Sequence, residues 1–130
     1  MLSQFFKSVI DMDRAAVLIC DLNHTIVYLN PAAARRYAAA GGEQLVGKSL
    51  MLCHNSDSNQ KIQTILDWFR ENPKHNMIYT GKNEQENKDV YMVALRDEEE
   101  RLIGYYEKHE YRNAEPVLPY QPVDETKALG

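Results

Sequence analysis

"DLNHTIVYLNPAAARRY", Asp21 to Tyr37, changes its local rule at a single dipeptide. Thr25 to Tyr28 is β-branched or aromatic, which suits a strand. Asn30 and Pro31 follow, and then alanines and arginines. An Asn side chain accepts hydrogen bonds from the free N–H groups of a first helical turn, and proline's missing donor costs nothing at the first helical position. The dipeptide therefore predicts a corner where a strand ends and a helix begins. "PAAARRYAAA" supplies helix formers, and Gly41-Gly42 stops them. Upstream, "AAVLIC" and "TIVYLN" read as two strands joined by a tight turn at "DLNH", since Asp and Asn tolerate the left-handed backbone of such turns.

Working outward, Leu2, Phe5, Phe6, Val9 and Ile10 keep the i, i+3, i+4, i+7, i+8 rhythm of a one-sided amphipathic helix. "GGEQLVGKSLMLC" predicts one or two short helical turns anchored by Leu45, Val46, Leu50 and Leu52. Asp57 with Gln60 has the form of a capping box. Ile62, Ile65, Leu66 and Phe69 then make the apolar stripe of a helix that Asn72-Pro73 ends. "NMIYTG", "DVYMVALR" and "RLIGYYEKHEYR" are strands, the last two joined by the acidic loop Asp97–Glu100. Two strands before the helices and three after predict an antiparallel five-stranded sheet with helices over one face, an α+β fold.

One strand is apolar on both sides: Val90, Met92 and Ala94 point one way, Tyr91, Val93 and Leu95 the other. A sheet with one wet face alternates polar and apolar residues, so both faces of this one need a cover. The central helices cover one. The N-terminal helix, or a second copy of the chain, covers the other.

At 130 residues the chain is one domain. It is 44% hydrophobic and 26% charged, with net charge −4, and carries no basic stripe for nucleic acid or an anionic membrane surface. Lys7, Asp11, Asp13 and Arg14 break every N-terminal apolar run well short of a membrane span or signal peptide. Cys20 and Cys53 make neither a disulfide framework nor a zinc site, which places the chain in the reducing cytoplasm. No phosphate loop, paired metal motif or nucleophile with a base points to an enzyme.

Strand, turn, strand, "NPAAARRY", "EQLVGKSL", a helix and "VALRDEEERLIGYY" in this order resemble a PAS domain of the bacterial type, over residues 15–112. The resemblance implies a five-stranded antiparallel sheet cupping small helices around an interior cavity. It also implies a sensory or signalling domain that binds a ligand, cofactor or partner, often as a dimer. The organisation expected is an N-terminal amphipathic helix over 1–13, the PAS domain over 14–112 and a tail over 113–130. That tail contains Pro116, Pro119 and Pro122 and is expected to be extended. No kinase, cyclase or DNA-binding segment follows residue 112, so output is expected through an unidentified partner protein.

By that family pattern Leu102, Gly104 and Tyr106 face inward. With Val90, Met92, Ile62 and Leu66, Gly104 and Tyr106 are the expected lining of a small apolar pocket, and a strand glycine permits a close approach. A filled core with no ligand, in a pure interaction and dimerisation module, is the alternative. His54 lies beside the start of the long helix, where PAS domains place cofactor contacts. A neutral imidazole there can ligate a heme iron, but a lone histidine with no paired ligand motif reads first as a plain loop histidine hydrogen-bonding near the helix start. The helix itself carries no histidine, which argues against heme. Cys53 lacks the neighbours of flavin-bonding cysteines and reads as an inert thiol, which argues against flavin. Glu107 and His109 share one face of the last strand, whose end is expected to be solvated. Self-association is expected through Leu2, Phe5, Phe6, Val9 and Ile10, with Tyr91 and Val93 beneath them.

Overall fold

The computed structural model describes residues 2–53 and 55–121, the side chain of Cys53 excepted. The expectations for His54, the Cys53 thiol and Pro122 lie outside the described residues. Helix α1 spans Leu2–Asp11, strands β1 and β2 span Leu18–Asp21 and Ile26–Leu29, and α2 spans Pro31–Arg36. Three short 3₁₀ turns follow, at Ala38–Ala40, Gly42–Leu45 and Leu50–Cys53. Helix α3, Ser56–Glu71, then leads into β3 (Met77–Asn83), β4 (Lys88–Arg96) and β5 (Leu102–Tyr111). The sheet order is β2-β1-β5-β4-β3, with every neighbour antiparallel, so the last strand is inserted at the centre beside the first.

The Asn30-Pro31 corner forms as its chemistry dictates, and it does more than cap a helix. Asn30 is fully buried. Its Oδ1 accepts from Ala33 N and from Val17 N, both at 2.9 Å. Its Nδ2 donates to Ile10 O and Ala15 O, both at 3.0 Å. One amide thus joins the end of α1, the segment entering β1, the end of β2 and the start of α2.

Helix α3 is capped by Asn55, whose Oδ1 accepts from Ser58 N at 2.8 Å. Asp57, expected as the cap, lies inside the first turn. The cap sits two residues earlier, at Asn55, which already has the extended backbone a cap needs. Its inward stripe of Ile65, Leu66 and Phe69 is buried. At its other end Arg96 gathers three carbonyls: Nη2 donates to Phe69 O at 2.7 Å, His75 O at 3.1 Å and Asn72 O at 3.2 Å. Of the expected anchors between α2 and α3, Leu45 is buried, whereas Val46 and Leu52 are exposed. In turns this short, single residues reverse direction, and an apolar residue can be left outside.

The core lies between α3, α2 and the inner sheet face, with Cys20, Ile26, Leu66, Met92, Ala94 and Tyr105 buried there. On the outer face, Tyr91, Val93 and Leu95 are only half-buried. Helix α1 buries none of its residues and leaves Leu2, Phe5, Phe6 and Val9 more than half exposed. It is moored at its end, where Tyr28 Oη donates to Asp11 and Lys7 Nζ donates to Asp11 at 2.5 Å. An open groove of about 610 Å³ remains between Val9, Ile10 and Met12 of this N-terminal segment and Ile19, Leu95 and Tyr106 of the sheet.

Removing the buried amide at residue 30 strips four bonds at once. Asn30→Ala is expected to lower folding stability by about 3–4 kcal/mol, beyond an ordinary lost cap. Asn30→Asp, which keeps the acceptor but loses both donated bonds, is expected to be comparably damaging. Urea denaturation measures both, and a loss below about 1 kcal/mol would refute the hub role.

Candidate functional site

The register of β5 decides which side chains look inward. Leu95 pairs with Gly104 but Arg96 with Leu102, so Ile103 is an extra residue, a β-bulge. The bulge reverses the alternation. Leu102 packs on the core, and beyond the bulge Tyr105, Glu107 and His109 are inward, opposite Ala94, Met92 and Val90. Gly104 and Tyr106, expected inside, lie on the outer face opposite Leu95 and Val93. The close approach permitted by Gly104 is that of β1: a Cβ on residue 104 would stand 2.3 Å from Cys20 O. The glycine serves strand packing.

Between the inner face and the helices lies a cavity of about 100 Å³. Leu18 of β1, Leu50, Ile62 of α3 and Met92 supply apolar walls, and Cys20, Tyr105, Glu107 and His109 supply polar atoms. Of the expected lining, Ile62 and Met92 are present. Leu66 is buried in the core beside it, and Val90 shares the face without bordering the space. The expected self-association residues are Leu2, Phe5, Phe6 and Val9, exposed on α1, with Ile10 half-buried and Tyr91 and Val93 on the outer face.

Two polar networks frame the cavity. In the first, His24 is buried in a left-handed turn conformation, with φ of 64°. Its Nδ1 lies 2.7 Å from Tyr105 Oη and its Nε2 2.8 Å from the Gln63 amide nitrogen, which ties the hairpin turn to both β5 and α3. Burial holds His24 below its usual range, so it is a neutral imidazole. Burial also raises the Tyr105 hydroxyl and pushes the Cys20 thiol up to about 11. A thiol kept protonated is a poor nucleophile.

The second network closes the opposite end. Arg36 holds Glu86 bidentately at 2.6 and 3.0 Å, which brings that carboxyl down to about 2. Glu86 in turn lies 3.2 Å from Nζ of Lys88, a lysine with 1% exposure. His109 is next to them, its side chain 7% exposed, where the sequence predicted a solvated strand end. Burial, with Lys88 and Arg36 nearby, takes its pKa to about 4. Nε2 of His109 stands 3.4 Å from Glu107 Oε1. Its Nδ1 is buried and has no hydrogen-bond partner among the described residues. Such an orphan costs about 1–3 kcal/mol. Glu107 is exposed, so the cavity meets the surface at that carboxylate.

A five-stranded antiparallel sheet with short helices over one face is the expected architecture, and the structure adds that its last strand lies beside its first. The family model for the PAS domain matches residues 14–107. This chain belongs to the PAS domain family. Among solved structures, the C-terminal domain of a Streptococcus mutans protein is similar, with TM-score 0.63 and 17% identity over 84% of each chain. The PAS domain of a Colwellia psychrerythraea protein has TM-score 0.61 and 13% identity, over 87% of this chain and 100% of that one. The PAS domain of BvgS from Bordetella pertussis has TM-score 0.56 and 10% identity, over 87% and 88%. At these identities the likeness is one of fold. No curated protein sequence is significantly similar. No helix among the described residues is long and apolar enough to cross a membrane.

PAS domains are in general sensory domains. In this one the inner cavity, at about 100 Å³, is smaller than the roughly 300 Å³ from which pockets for drug-sized ligands and cofactors run. Sequence reasoning missed the Arg36–Glu86–Lys88 cluster and Gln63, because partners 50 residues apart (Arg36 and Glu86) or 39 apart (Gln63 and His24) carry no joint local pattern. It did see that Glu107 and His109 share a face, and the bulge at Ile103 placed that face inside.

His109 makes this PAS domain sensitive to acid. The folded-state pKa of about 4 lies below the ordinary 6.5, so the unfolded chain takes up the proton first as pH falls. The His109 contribution to stability is complete above pH 6.5 and is lost as pH drops toward 4; His24 acts in the same direction. Melting temperature is expected to fall across that window and to fall less steeply in His109→Phe. Parallel melting curves at pH 7, 6, 5 and 4.5 check this, and equal slopes for the two proteins would refute it.

Proposed function

We propose that this PAS domain is a sensory module that holds a small ligand in its inner cavity and relays occupancy through its outer sheet face and α1 to a second copy of itself. The observation that carries the reading is the mostly apolar cavity that His109 borders, together with the Nδ1 of that residue, buried and without a partner among the described residues. A polar atom left unmet in a core is unfavourable unless something meets it at work. Strand β5 is the relay. Its inward residues Glu107 and His109 border the cavity, while Tyr106 and Lys108 on its other side border the groove beside α1. A shift of β5 toward or away from α3 therefore reaches both faces, and the ligand selects between two packings of α1.

Self-association rests on Phe5, Phe6, Leu2 and Val9, an apolar stripe on α1 left bare beside a half-buried sheet face. Two such stripes brought together remove this surface from water in a symmetric contact. We assign the domain to the cytoplasm, since two scattered cysteines offer no disulfide framework. Output passes to a partner protein through the same outer face. A second reading, a ligand-free interaction module, is favoured by the small size of the cavity.

Native mass spectrometry of the chain purified from its own host separates the two readings. A reproducible added mass of one small organic molecule is expected, and a bare chain in every preparation would favour the interaction module. Replacing both Phe5 and Phe6 by Glu is expected to reduce the dimer fraction at least tenfold in sedimentation. An unchanged mass distribution would remove α1 from the interface.

A further inference from the structure

We propose that the free edge of β3 docks a short, extended, β-branched segment of a partner protein, which joins the sheet as a sixth strand and sets a carboxylate against Lys61. Neither the inner cavity nor α1 takes part.

The two edges of the sheet are finished differently. At β2 the loop that follows α2 closes the edge with backbone: Ile26 N donates to Lys48 O at 2.9 Å, Gly47 N donates to Ile26 O at 2.8 Å, and Thr25 bridges Ser49. At β3 the bond that reaches the outer edge among the described residues comes from a side chain, Lys61 Nζ to Thr80 O at 3.2 Å. Asn76 O accepts from Ala94 N at 2.9 Å, so residues 76 and 78 turn their backbone groups to β4, while Met77 and Tyr79 turn theirs outward. A row of this kind is a template for another strand. The register shift at Thr80 ends the row and keeps the added segment short.

The space beside that row suits a strand. An open groove of about 430 Å³ runs between β3 and α3, with Ile65 and Ile78 as its apolar lining and Gln60, Lys61 and Thr64 along the helix. On the outer face of the sheet Met77 and Tyr79 are 48% and 53% exposed. Alternate residues of an added strand cover the two sets in turn, so the segment is apolar on both faces, and its backbone supplies the bonds.

Charge selects the occupant. The facing edge of a second copy would carry the same lysine, and two Lys61 ammoniums would be brought to one short ladder, where like charges are unfavourable. A carboxylate from a different chain instead draws the exposed Lys61 ammonium off Thr80 O, which frees that carbonyl for a backbone N–H of the incoming strand. Asp57 also borders the groove, one helical turn from Lys61, so the segment carries its acid at the lysine and none beyond it.

Two capped heptapeptides of alternating valine and threonine, one with a central glutamate and one with a central lysine, are titrated into the whole chain at low salt. The glutamate peptide is expected to protect the Met77 and Tyr79 amides from hydrogen exchange and to bind about threefold more tightly than its twin. Lys61→Glu changes an exposed residue of α3, leaves the strand untouched, and is expected to reverse that order. Tyr79→Pro removes an outward N–H at an edge that tolerates proline, and is expected to weaken both peptides about tenfold. Equal affinity of the twins for both forms of residue 61, protection that bypasses β3, or no binding of either peptide would overturn the docking site. So would a dimer in sedimentation that Tyr79→Pro abolishes, which would assign the edge to a second copy.

Discussion

A single buried amide holds this domain together. Asn30 stands where four segments meet, and its two acceptor and two donor positions face two N–H groups and two carbonyls that no regular element satisfies. Val17 N, Ala33 N and Ala15 O would otherwise lack a partner, while Ile10 O also accepts from Asp13 N at 3.3 Å. The side chain also fixes its own orientation, since only one arrangement of oxygen and nitrogen suits all four neighbours. Strand β1, which opens the sheet, and helix α2, which closes over the core, are therefore positioned by the same few atoms. Everything that borders the cavity from the β1 side inherits that placement.

The second constraint is the centre of the sheet. Strand β5 pairs with both β1 and β4, so it cannot shift without disturbing two ladders. Gly104 lets the backbone of β1 come closer than any side chain would allow, and the bulge at Ile103 turns the strand's phase just before it. Together they put Tyr105, Glu107 and His109 inside. The interior is thus less purely apolar than the composition of the strands suggests. It contains a satisfied chain through Gln63, His24 and Tyr105, and an unsatisfied end at His109.

The order of elements was legible because each is announced locally. Asn30-Pro31, the stripe of α3, the acidic loop Asp97–Glu100 and the β-branched runs all act within a few residues of themselves. The five-stranded α+β fold and the family follow from them. The details that failed depend on contacts distant in sequence. Asn55 rather than Asp57 caps α3 because of the backbone just before it. The inward set of β5 was misassigned by one residue because no residue type marks a bulge: Ile103 looks like any strand residue. His109 reads as solvated because polar groups at strand ends usually are, and nothing local singles out Lys88. Glu86 and the ring of Tyr111, 5.3 Å from Lys88 Nζ, accompany the buried lysine, and Glu107 stands beside His109.

Arg96 has a mechanical meaning. By gripping Phe69, Asn72 and His75 through one guanidinium nitrogen, it fuses the tail of α3 to the β4–β5 hairpin. The N-terminal half of that helix, next to Leu50 and the cavity, is held by single bonds spread along it: the Asn55 cap, the Asn59 amide to Met51 O, Lys61 Nζ to Thr80 O and Gln63 to His24. Load on α3 is therefore divided unevenly: a push from the cavity, which the helix borders at Ile62, would bear on scattered single bonds, while the tail stays clamped by Arg96.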